Sequence, residues 1–132
     1  MPAINITSVT PDTDAEFVVG QAGEAISLGK AVCFNKTDGK YYLADADNTN
    51  RRDVVGISVV TAGLNSQVVV QTGGQMTING GATAGTIYVA GATPGDVNPA
   101  ADLAAGWMTC IIAVGVNATK LKVLPIKTGA TV

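Results

Sequence analysis

The side chains best equipped for chemistry lie in Asp45-Ala46-Asp47-Asn48-Thr49-Asn50, which crowds several oxygen ligands into a short span in the manner of a calcium loop. The match stops there. An EF-hand loop places Gly at its sixth position and a bidentate Glu at its twelfth, and this chain has Asn50 and Gly56 there. Asp and Asn also bond their own backbone in turns, so a solvated turn between strands is the expectation. Two close carboxylate pairs, Asp12 with Asp14 and Asp45 with Asp47, are the available acid and base partners, and neither has apolar flanks that would raise a pKa. Ser27, Ser58 and Ser66 lack a G-x-S-x-G setting, and the chain has no His to activate them. The pairs Gly73-Gly74 and Gly80-Gly81 fit neither phosphate-cradling pattern and are expected to be turns. Trp107, Tyr41, Tyr42 and Tyr88 are the raw material for a sugar-stacking platform, although aromatics dispersed over strand positions more often serve core or interface. These residues assemble no catalytic constellation, cofactor site or metal site, and the chain is expected not to be an enzyme.

Composition narrows the partners. The formal net charge is -2, and no basic cluster exceeds the pair Arg51-Arg52, so no surface tracks phosphates and no nucleic-acid partner is expected. Cys33 and Cys110 each sit among apolar neighbours without a nearby second thiol, which suits buried free thiols better than a metal or disulfide framework. No charged leader precedes an apolar run, and no apolar stretch approaches about 18 residues; neither a secretion signal nor a membrane partner is expected. Yet 47% of the 132 residues are hydrophobic and the mean hydropathy is +0.33. So many aliphatic side chains strain the interior of a small domain, and subunit contacts are the natural outlet.

The elements that must position these residues are strands. Gly-punctuated runs of Val, Ile and Ala favour pleated sheet over helix, and strand-length runs fall at 31–34, 40–44, 54–60, 67–71, 76–78, 86–90, 108–116 and 120–126. The expected fold is therefore all-β, a small β-barrel or β-sandwich of eight short strands. Asp38-Gly39 marks a hairpin between the first two runs, and Pro125 implies an edge or a bulge in the last. Residues 99–105 are the only helix candidate, of one or two turns at most. Residues 1–22 are polar, contain Pro2 and Pro11 and keep no period, which predicts an extended N-terminal arm ahead of a single domain over 23–132. That domain echoes itself in halves 23–78 and 79–132. Gly29 before Ala31-Val32 recurs as Gly85 before Ile87-Tyr88, Val55-Gly56-Ile57 as Val114-Gly115-Val116, and the valine strand before Gly73 as the strand before Gly129, at a spacing of about 56–59 residues.

In their order, these segments resemble a known group. EAISLGKAVCF, DGKYYLADADN, DVVGISVV and a valine strand ending near Gly73 are followed by GTIYVAGATPGDV, Gly106-Trp107 and IIAVGV. The succession is similar to the capsid decoration, or cement, proteins of tailed bacteriophages, including the lambda-type head-stabilising proteins. The resemblance covers the chain outside the arm. It implies a homotrimer on the outer surface of an expanded icosahedral head, made in the host bacterial cytoplasm, that bridges neighbouring major capsid protein subunits without catalysing a reaction. The arm is the expected capsid-binding element, with Ile4, Asn5, Ile6, Thr7 and Val9 adding a strand to an exposed sheet edge of the capsid protein. A β-module of a phage tail, baseplate or spike uses similar strand-and-glycine language, and a carbohydrate-binding β domain is the further alternative.

Overall fold

Alternation of apolar and polar residues between turn-forming Asn, Asp and Gly builds an all-β, barrel-like molecule. A computed structural model describes residues 3–48 and 50–131; Met1, Pro2, Thr49 and Val132 lie outside the described residues. The strands are β1 (Val9–Pro11), β2 (Glu16–Gln21), β3 (Ala31–Asn35), β4 (Lys40–Leu43), β5 (Val54–Ser58), β6 (Gln67–Ile78), β7 (Ile87–Ala90), β8 (Val97–Pro99), β9 (Met108–Asn117) and β10 (Lys120–Thr131). They form a curled sheet of order β4-β3-β5-β6-β10-β9-β7-β8, with β1 and β2 also pairing to β6. All these pairings are antiparallel. The helix candidate 99–105 comes down to a single turn. Val97–Pro99 pairs with β7, and only Ala100–Asp102 makes a 3-10 turn before the chain leaves for β9.

The strand order reads the same from either end because the two halves repeat one unit. In the hairpin β3–β4, Val32 faces Leu43, Cys33 faces Tyr42 and Phe34 faces Tyr41; in β7–β8, Tyr88 faces Pro99, Val89 faces Asn98 and Ala90 faces Val97. The next pairings share a bulge. The register skips between Val32 and Cys33 against β5, and between Tyr88 and Val89 against β9. Gly29 (φ 78°) and Gly85 (φ 79°) hold matching left-handed positions that suit glycine. Gly29 donates its N–H to the Ser58 carbonyl at 2.7 Å and Gly85 to the Gly115 carbonyl at 2.8 Å. Ser58, rather than Gly56, is thus the counterpart of Gly115. Gly73 and Gly129 are not equivalent either. The link 59–66 is longer than the link 118–119, so Ile57 facing Gln71 corresponds to Val114 facing Lys122, and Gly73 corresponds to Leu124.

Strand β6 joins the halves. One of its edges takes β2 and then β1, and the other takes β5 and then β10. The runs 67–71 and 76–78 are one strand, because Gly73-Gly74 kinks the backbone without turning it. Gly74 sits at φ 78°, and the buried Gln71 amide spans the kink, its Nε2 donating to the carbonyls of Gly73 (3.1 Å) and Gln75 (2.9 Å). Strand β10 bends at the corresponding place, with an irregular register between Val123 and Ile126 around Pro125, as a missing N–H requires. Ile26, Val32, Val68 and Val70 fill the interior of the first half. A larger core, including Ile57, Met76, Tyr88, Ile112 and Leu121, spans both halves.

The N-terminal segment is the main departure from expectation. Over residues 3–22 it is not an unattached arm. It supplies β1 and β2 and closes a seam in each half. The Tyr41 carbonyl accepts the Gly23 N–H at 2.8 Å, and the Val97 carbonyl, its counterpart on β8, accepts the Ile4 N–H at 2.9 Å. Contacts of this kind help to cover the β4 and β8 edges, which would otherwise lie open.

Candidate functional site

Of the residues expected to bind a capsid edge as a free arm, Ile6 is buried at 8% exposure, against Gly29, and Ile4 and Val9 pack on the same core. Asn5 and Thr7 are exposed and held by one side chain. Asn79 Oδ1 accepts the Thr7 N–H at 2.8 Å, and Asn79 Nδ2 donates to the Asn5 carbonyl at 3.0 Å. The segment docks on its own body because its alternating Ile residues fill core volume while Asn79 satisfies its backbone. Beyond it, Lys120 Nζ donates to Asp12 Oδ2 at 2.6 Å, which holds the Asp12 carboxyl below the usual carboxylate range and ties the β1–β2 junction to β10. Asp14 Oδ1 accepts the Gln75 N–H at 3.0 Å. The pair Asp12 and Asp14 thus anchors strands. In the sequence, Asn79 signals only a turn before Gly80-Gly81.

The acidic loop is a strap between the halves. Ala46 donates its N–H to the Gly91 carbonyl at 2.8 Å and accepts the Met108 N–H at 2.9 Å. Its polar atoms serve local turns: Asp45 Oδ1 accepts the Asp47 N–H (3.2 Å) and Asn48 Oδ1 the Asn50 N–H (3.0 Å). Asp45 departs from the expected solvated state. Burial, reinforced by the Asp47 carboxyl, pushes it up to about 6, with Arg51 opposing. The sequence hides this because the strap is pinned by β9 and the β7–β8 connection, remote in the chain. Arg51 lies over the Tyr42 ring at 4.6 Å and donates to Glu24 Oε2 at 2.6 Å. Arg52 Nε donates to the Ala46 carbonyl at 2.9 Å. The two arginines therefore brace the loop. Among the described residues, no group of three or more His, Cys, Asp or Glu side chains is placed to hold a metal ion.

The remaining sequence candidates are structural in their placement. Ser58 is buried and donates to the Val60 carbonyl at 2.5 Å. Cys33 and Cys110 are both buried, the Cys110 thiol donating to the Arg52 carbonyl at 3.6 Å, and burial pushes Cys33 up to about 12. Tyr88 lies in the core with its hydroxyl accepting the Thr83 N–H at 2.9 Å, so it cannot join a surface platform. Tyr41 packs beside Phe34, Tyr42 carries Arg51 and donates to the Asp38 carboxylate, and Trp107 lies against the large core. With Tyr88 in the core and Tyr41 and Tyr42 on opposite faces of β4, the four rings do not make one platform.

What the surface does offer is apolar rows on the outer face of the curled sheet. Phe17 and Val19 stand out on β2; Ile87, Val116, Leu124 and Ile126 stand out on β7, β9 and β10. Ile87 and Lys122 both face Val114, which places them on one side of the sheet. Among the described residues, no helix is long and apolar enough to cross a membrane. No family model matches the chain, and no curated protein matches it in sequence.

Proposed function

We propose that this chain is a structural virion protein that binds the outer surface of an expanded icosahedral phage head as a homotrimer and cements neighbouring major capsid protein subunits. The observation that carries the reading is the pair of apolar rows on the outer sheet faces, Phe17 with Val19 and Ile87 with Val116, Leu124 and Ile126. Large exposed side chains of this kind mark surfaces built to be covered. The order of strand and glycine motifs supports the choice of a head over other assemblies. Because residues 3–22 belong to the folded body, the capsid contact is assigned to that body and not to a trailing arm. A ligand that binds the expanded lattice and not the dissociated one stabilises it by mass action, and several linked copies turn weak contacts into avidity.

The test is occupancy. Fluorescently labelled protein is added to expanded, DNA-free heads of the phage whose genome carries this sequence and imaged by cryo-electron microscopy. Density repeated over the local three-fold positions of the shell is expected. Binding confined to a vertex or tail assigns the chain to a tail, baseplate or spike module instead, and no binding overturns the proposal.

A further inference from the structure

The duplication exposes an asymmetry. In the first half, Ala31, Ile57 and Gln71 line one face of β3, β5 and β6, and all three are fully buried, with β5 packed against β9 and β10 of the second half. Their counterparts in the second half, by strand register, are Ile87, Val114 and Lys122. That face is open. Ile87 is 44% exposed, and Val116 (40%), Leu124 (41%) and Ile126 (43%) extend it. One repeat therefore buries this face against strands of its own chain, and the other leaves it without a cover.

We infer that the open face of β7, β9 and β10 docks onto the outer face of β2 in a second copy of this chain, head to tail. The inference takes from the proposed function only that the chain associates with itself. The first half shows what fits such a face: β strands of this fold. On β2, Phe17 (45% exposed) and Val19 (54%) supply an apolar row, with Val69 directly opposite Val19. Charge sets the pairing. Exposed Lys122 lies within the first row and exposed Glu16 adjoins the second. Docking either row on its own copy would bring like charges together; docking one on the other brings Lys122 toward Glu16. The two rows lie on different edges of β6, since β2 pairs with one and β10 with the other. Both are therefore available at once, and such a heterologous contact builds a ring when its rotation closes.

The experiment is native mass and sedimentation equilibrium on the full-length chain, with no heads present. The wild-type chain is expected to associate at about 100 µM, and Lys122→Glu and Glu16→Lys each to weaken association about tenfold or more. The double variant K122E/E16K should regain wild-type association. Thermal melts matching the wild type show that the variants fold, as expected for exposed positions. A monomeric wild-type chain, single variants that associate normally, or a double variant that stays dissociated would each overturn the interface. A chain that coats heads as a homotrimer untouched by either single substitution sinks this inference alone, and one that assembles as described but ignores heads sinks the decoration reading alone.

Discussion

Asp45 shows how a side chain expected to be solvated becomes a pH-sensitive element of stability. It lies within the strap between the halves at 9% exposure, with Asp47 adding like charge and Arg51 offsetting part of it. The folded state binds the proton at about 6, against 3.8 for the free group. The folded chain thus holds more protons across that window, so the Asp45 contribution is fully present below 3.8 and is lost as pH rises through 6. Asp45→Asn keeps an Oδ1 to accept the Asp47 N–H and cannot ionise. Its melting temperature should match the wild type at about pH 4 and exceed it at about pH 8; an equal difference at both pH values would contradict the assignment. Ile6 makes the opposite point, since a residue expected on a free arm fills core volume. Ile6→Ala should cost about 3 kcal/mol in urea unfolding. A change below about 0.5 kcal/mol, the range of surface positions, would mean that the segment is not docked.

At the level of elements, register depends on a few close approaches. Strand β5 crosses β6 where Gly56 meets Gln71, and a Cβ at Gly56 would collide with the Gln71 carbonyl. Relief requires β5 to withdraw from β6, so Gly56→Ala should destabilise by about 3 kcal/mol, whereas Gly39→Ala, in open space on a hairpin turn, should cost only the strain of its positive φ, about 1 kcal/mol. Equal losses in equilibrium unfolding would overturn that ranking. Strand identity was legible where local chemistry decides it. The Asp38-Gly39 hairpin and the irregularity at Pro125 both follow from turn and donor rules. Three features were not legible, each for a tertiary reason. Gly73-Gly74 kinks β6 instead of turning it because the Gln71 amide bridges the kink. Residues 97–99 join a sheet because β7 offers them a ladder. Residues 9–21 become strands because β6 presents an edge along its whole length. For the candidate surface, the apolar residues were visible but not their outward orientation, since Ile87 and Ala31 hold the same place in the repeat and differ only in what covers them.

For the whole molecule, the decisive feature is that neither half owns its own wall. β6 begins among the strands of the first half and ends among those of the second, the N-terminal segment bonds to the edge strand of each, and the larger core takes Ala31, Cys33 and Ile57 from the first half together with Tyr88, Ile112 and Leu121 from the second. A loss of packing in one half therefore loosens β6 and, through it, the other. Val70 lies in the interior of the first half and Trp107 against the core that spans both. Val70→Ala removes buried methyl groups and should destabilise by about 2 kcal/mol. If the halves unfold as one, Trp107 fluorescence, which reports on the core shared by both, should shift by the same temperature as far-ultraviolet circular dichroism, in a single transition. A Trp107 transition left at the wild-type temperature while the dichroism splits into two would show that the repeats unfold separately, and that the shared strand does not couple them.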